Sequence, residues 1–299
     1  MKRGVWYAVG AYTLWGVFPI YIKWLQSVPA VEILAHRMVW SLVFVTVLLT
    51  IQHHWAWVRL VIARPAMLGR FVVTASVVTM NWGVYIWAIN SNRVVDASLG
   101  YFINPLVNVL LGALLLGEHM RPAQWAAVAV AASGVLWLTV QAGTLPWIGL
   151  TLAVSFGTYG LLRKTATLGA LEGLTLETAL LFPLAFGYLV WLALHQQNTF
   201  VEASASMRWL LVAAGPVTAV PLLLFAAGAR RIPFTLLGLL QYIGPSLQLL
   251  LGVWLYQEPF ARAKAAGYAL IWAALALYTA ESLWQNWRRV PGAVTDAPK

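Results

Sequence analysis

The sequence predicts an all-α integral membrane protein of ten transmembrane helices, set as two inverted five-helix repeats. Three observations predict it. The 299 residues are 61% hydrophobic and 9% charged, with a mean hydropathy of +0.77. Soluble domains are roughly 25% charged, so these charges are too few to cover a water-facing surface. The apolar residues fall into ten runs of about 20, the length that crosses a hydrocarbon core about 30 Å thick. Finally, LGYFINPLVNVLLGALLLGE (99–118) returns as LLQYIGPSLQLLLGVWLYQE (239–258). Ile103, Pro105, Leu110, Leu111, Gly112, Leu115 and Glu118 recur there as Ile243, Pro245, Leu250, Leu251, Gly252, Leu255 and Glu258.

The spans follow in order. The first run, 4–23, comes after Met-Lys-Arg, and SVPA at 27–30 would suit a leader cleavage site. Nine comparable runs follow, so it reads as a retained span. The second, 33–51, carries His36 and Arg37 about a turn inside, in EILAHRMVW. The third, 70–90, contains NWGVYIWAIN, and the fourth, 96–116, is the first copy of the repeated segment. Asp96 opens that fourth span as a helix cap. Runs 122–140 and 146–162 supply the fifth and sixth. The seventh, 174–194, holds Glu177 in LTLETALLF; 209–228 is the eighth, 234–256 the second copy, and 262–282 the tenth. Residues 1–140 and 141–285 then form the two repeats, and the polar, Pro- and Gly-bearing segment 286–299 reads as a disordered cytoplasmic tail.

The repeat offset of about 140 residues maps the fourth span onto the ninth, across five spans. An odd number reverses direction, so the copies enter the membrane from opposite sides, the layout that places a site at the midplane between halves. Weaker echoes agree: LWGVF (14–18) lies over SFGTY (155–159), Lys23 over Lys164, and Glu32 over Glu172. With the N-terminus inside, the inner segments hold Lys2, Arg3, Arg59, Arg64, Arg70, Arg121, Arg163, Lys164, Arg230, Arg231, Arg288, Arg289 and Lys299. The outer ones hold Lys23, Arg93, Arg208, Arg262 and Lys264. That excess of basic residues places both termini in the cytoplasm and the chain in the cell membrane.

Charge inside lipid is expensive and faces a bundle interior. Arg37 and Glu177 stand at equivalent repeat positions, a cation and an anion, with His36 beside the first. Arg37 suits the anionic group of a solute, and Glu177 suits proton exchange; both also suit anchoring near a surface. Asn104 and Asn108 share a helix face, answered in the second copy by Gln241, Tyr242 and Gln248. Pro105 and Pro245 each free a carbonyl about four residues back. Tyr101 lies on the same span, and Asn81, Trp82 and Tyr85 on the third; Tyr12 and Trp15 on the first offer rings for a flat or cationic solute. Trp24, Trp55, Trp57, Trp284 and Trp287 read as interfacial belt residues.

The same residues exclude other classes. The net charge of +10 has no run of five basic residues behind it, so nucleic acid is not an expected partner. Cysteine is absent, which excludes disulfides and thiolate metal sites. Acidic residues are scattered singly and the one histidine pair, His53 and His54, lies in a polar loop, so neither an enzyme, a metal nor a cofactor is expected. No G-x-x-x-x-G-K-[ST] marks a nucleotide motor, and no charged ring marks a channel filter.

The chain resembles the EamA-type drug/metabolite transporters through its glycine- and proline-bearing fourth and ninth spans ending in Glu118 and Glu258. YAVGAYTLWGVFPIYIKWLQSVPAVEILAHRMVWSLVF (7–44) and NWGVYIWAINSNRVVDASLGYFINPLVNVLLG (81–112) resemble the RarD permeases more specifically, and the resemblance runs over about residues 1–285. It implies a secondary permease, an exporter of a small drug-like or metabolite solute, with proton coupling or uniport of amino-acid-like metabolites as alternatives. The implied partners are that solute, the bilayer and protons, in a monomer or homodimer.

Overall fold

The computed structural model describes residues 2–90, 94–143, 147–255 and 262–288. Glu258, Arg93 and the tail from 289 lie outside the described residues, as do the side chains of Asp96, Arg262, Lys264, Trp284 and Trp287. Among the described residues all regular structure is helical, without a strand. The first two elements, α1 (Lys2–Trp24) and α2 (Ala30–Ile51), are long apolar helices. The third span begins earlier than the run at 70 suggests, because the short α3 (Trp57–Ala63) precedes α4 (Pro65–Asn90). The two are bent by 103°. Arg64 between them is extended, φ −133° and ψ 83°, the backbone that a following proline favours, and Pro65 starts a new helix where its missing N–H is harmless.

Next come α5 (Val94–Leu115), α6 (Pro122–Ala142), α7 (Trp147–Lys164) and α8 (Ala170–Leu194). Gly143 closes α6 at φ 73°, a left-handed position that glycine adopts without strain. The short α9 (Thr199–Glu202) is capped by Asn198, whose side chain accepts from the Phe200 N–H. Ser204 caps α10 (Ala205–Ala229) in the same way.

The ninth span of the sequence reading is present as the apolar stretch Phe234–Leu255, but it is not one uniform α-helix. Instead of one helix over 234–256, the chain forms α11 (Phe234–Leu240), α12 (Ile243–Leu250) and a π-helical turn, Leu251–Leu255. The break falls at Gln241, whose carbonyl Pro245 cannot serve and which accepts from Gly244 N at 3.1 Å instead. Pro105 leaves α5 continuous. The copies differ just before the proline, where Gly244 replaces Asn104 and weakens the helix. The last helix is α13 (Arg262–Arg288).

Among the described residues six helical stretches, Phe234–Leu255 counted as one, qualify as membrane spans by length and hydropathy, or seven if α3 and α4 are one bent span; α5 and α13 contribute shorter apolar stretches. Leu114, Leu184, Leu194 and Trp254 are all at least 75% exposed, a surface suited to lipid.

One compact unit gathers α1–α5 and α7–α12, and a second holds α6 and α13. In the first, α1 packs on α10 and α12, as α7 packs on α4 and α5. Helix α2 packs on α10, as α8 packs on α4, while α2 pairs with α8 and α5 with α11. Exchanging α1, α2, α4 and α5 with α7, α8, α10 and α11–α12 maps these principal pairs onto themselves. Glycines serve the equivalent contacts. A Cβ at Gly16 would stand 2.8 Å from Leu247, and one at Gly157 2.8 Å from Val107. In the second unit, a Cβ at Gly134 would stand 2.7 Å from the Gly267 carbonyl, so small residues set how closely α6 and α13 approach.

Candidate functional site

Arg37 of α2 is held by three other helices. Its Nε donates to Thr218 Oγ1 of α10 at 2.8 Å. Its guanidinium lies over the rings of Phe18 from α1 (5.2 Å) and Trp82 from α4 (4.9 Å). Gly215 makes the α2–α10 part of this possible. A Cβ there would collide with the Trp40 backbone, and the Gly215 carbonyl accepts from Ser41 Oγ at 3.2 Å. The hydroxyls of Tyr21, Tyr85 and Tyr101 are within electrostatic reach of the guanidinium, and Tyr85 and Tyr101 meet edge to face at 5.9 Å. Among the described residues no carboxylate lies within ion-pair distance of Arg37.

Glu177 of α8 is in the opposite condition. Tyr159 donates its hydroxyl to Oε2 at 3.1 Å, and Arg163 Nη1 lies 3.7 Å from Oε1. The Arg163 and Glu177 side chains are 1% and 2% exposed. Arg163 Nη2 donates to the carbonyls of Gly169 (3.3 Å) and Ala170 (2.9 Å), where the chain enters α8. Gly173 leaves the room: any Cβ there would collide with Arg163 Nη1. These hydrogen bonds support the buried pair only in part, since Arg163 Nε and Nη1 and Glu177 Oε1 have no hydrogen-bond partner.

Arg37 and Glu177 line one small cavity, together with Trp82, Tyr159, Thr178, Thr218 and the apolar residues Met38, Val78, Leu174, Leu181 and Leu222. Its volume of about 10 Å³ admits one water at most, so the charges face a narrow space. A wider groove of about 390 Å³ runs along Val77, Met80, Leu150 and Val154 and carries no charged residue.

The structure thus brings Arg37, Trp82 and Glu177 to one cavity, with Tyr85 and Tyr101 near Arg37. Other residues singled out in the sequence tie helices together. Asn81 donates to Leu152 O (2.9 Å) and Ser155 Oγ (2.8 Å), and Asn104 to Ala153 O (2.8 Å). Asn108 donates to Asn104 Oδ1 (3.1 Å) and Gln241 Oε1 (2.7 Å), joining α5 to the broken span. Tyr242 donates to Phe102 O at 3.3 Å, and Gln248 to Trp15 O at 3.0 Å. Tyr12 and Trp15 belong to an aromatic cluster with Phe156 and Phe225. His36 points elsewhere than Arg37. It accepts from Trp40 Nε1 at 3.3 Å and lies 3.8 Å from Glu32, which in turn binds Thr199 N and Oγ1. Sequence reasoning missed Arg163, Tyr159 and Thr218. Arg163 adjoins Lys164 at a helix end, where basic residues ordinarily meet water; its one sequence signal is the glycine pair Gly169 and Gly173 ahead of Glu177.

Residues 2–140 match the EamA-like transporter family. The chain is 47% identical to Protein RarD of Streptomyces exfoliatus over 94% of this chain and 90% of that one. It is 45% identical to an uncharacterized transporter of Pseudomonas aeruginosa, over 97% of each. With Protein RarD of Escherichia coli it shares 42% identity, over 96% of this chain and 97% of that one. A crystal structure 20% identical to it superposes with a TM-score of 0.68, covering 95% of this chain and 99% of the other, a likeness of fold.

Proposed function

Because this chain belongs to the EamA-like transporter family, as a RarD-type permease, we propose that it exports a small solute by alternating access, with Arg37 as the anchor for the solute. A membrane transporter of this kind handles a small-molecule solute in contact with lipid. The two halves, 1–140 and 141–285, act as inverted five-helix repeats that rock about the cavity between Arg37 and Glu177. The exchange symmetry of the packed helix pairs supports this reading, as do the equivalent glycine contacts at Gly16 and Gly157. The narrow cavity, with room for one water at most, suits a step of such a cycle in which the solute path is shut.

The observation that carries the site is Arg37, a cation inside the bundle over the Phe18 and Trp82 rings, with no carboxylate partner among the described residues. A buried charge without a counter-ion is costly, and the solute supplies one. Glu177 already has a partner in Arg163, which favours drive by the solute gradient over proton exchange at this carboxylate. Proteoliposome flux of amino acids, amphipathic amines and chloramphenicol, with and without a pH gradient, tests this. Arg37→Ala abolishes saturable flux while membrane abundance stays near wild type. Unchanged flux in that variant leaves Arg37 a mere anchor, and flux that follows the pH gradient restores proton coupling.

A further inference from the structure

We propose that the transported solute carries one net negative charge, and that Arg163 sets this preference by neutralising Glu177. The inference rests on the permease reading above and names the solute class of the same site. Two charged residues line the cavity, Arg37 and Glu177. If both were available, a zwitterion would suit them, its carboxylate on Arg37 and its ammonium on Glu177. The geometry points elsewhere. Glu177 is enclosed with Arg163 at 3.7 Å and accepts the Tyr159 hydroxyl, so its charge is answered within the protein. Arg163 comes from outside the cavity lining and is fixed by the Gly169 and Ala170 carbonyls. The cavity therefore presents a single uncompensated positive charge.

Arg37 is shaped to receive an anion. Thr218 occupies its Nε, and Phe18 and Trp82 hold the guanidinium plane. The two terminal nitrogens remain as a planar fork, the geometry that binds a carboxylate or sulfonate through two hydrogen bonds. The two rings suit an apolar or aromatic body attached to that anion. A zwitterion would leave its ammonium without a counter-ion in a narrow space, and a cation would meet like charge; both are rejected by what the site lacks.

The test uses the purified full-length chain in proteoliposomes with three probes of one ring size: benzenesulfonate, phenylalanine and phenyltrimethylammonium. Wild type takes up benzenesulfonate in preference to the other two by about tenfold or more. Arg163→Gln releases Glu177 and moves the preference to phenylalanine. Arg163→Gln combined with Glu177→Gln removes both charges and returns the preference to benzenesulfonate, a recovery that a merely structural role for Arg163 does not produce. Should the single variant fail to reach the membrane, the double variant decides: benzenesulfonate preference upholds the proposal and its loss overturns it. Wild-type uptake of phenylalanine or phenyltrimethylammonium that Arg37→Ala abolishes, with benzenesulfonate excluded, overturns the anion assignment and leaves the permease standing. Uptake of none of the three overturns the assignment too.

Discussion

Arg37 and Glu177 occupy equivalent places in the two proposed repeats, yet among the described residues one lacks an ionic partner and the other lies 3.7 Å from Arg163. The repeat register made both positions legible, because it is a property of order along the chain. Arg163 was not legible, since a basic pair at a helix end reads as solvent-facing until the fold buries it. Gly173 is where this burial is checked. Alanine there meets Arg163 Nη1 and costs about 1–3 kcal/mol by overpacking, seen as a lower thermal midpoint in detergent. Gly187, on the same helix, has open space where a methyl group would stand, so Gly187→Ala stays within about 0.5 kcal/mol of wild type. Equal losses at the two sites would refute a tight seat for Arg163.

At the scale of elements, the proline-bearing copies diverge. The sequence announced both prolines and the carbonyls they free, but not that α5 would run unbroken through Pro105 while the α-helical ladder of the second copy is interrupted at Gln241. That difference depends on Gly244 and on what fills the gap. Gln241 accepts from Asn108 of α5, so the interruption is bridged by a side chain from the other copy of the repeated segment. Glu118 secures the start of the broken span. Its carboxylate accepts from Phe234 N at 2.6 Å and Thr235 N at 2.8 Å, with Lys164 Nζ 3.8 Å away. A carboxylate on the free N–H groups of a helix start contributes roughly 1–2 kcal/mol. Glu118→Ala should therefore lower the thermal midpoint, and Glu118→Gln, which keeps an acceptor but not the charge, should lower it less. Identical behaviour of the two variants would mean that the charge at this end is irrelevant.

For the whole molecule, the basic-residue asymmetry leads us to propose that both termini are cytoplasmic, and the absence of cysteine makes this easy to check. A single cysteine introduced at exposed Ser27 or Ser204 should react with a membrane-impermeant maleimide on intact cells. One at exposed Thr167 should react only after permeabilisation; the reverse pattern would invert the topology. By itself the sequence determined the solvent, the helical class, the positions of the apolar runs and the recurrence of one segment in another. These are local or additive properties: few charges, run length against bilayer thickness, and identity at a fixed offset. Tertiary structure alone decided that α6 and α13 form a unit of their own, that the ninth span is not one uniform α-helix, that the amides join helices, and that Glu177 is neutralised while Arg37 is not. The reason is that partner choice depends on distances between residues far apart in the chain or facing each other across a turn. A buried charge is tolerated only where such distances allow it to be answered.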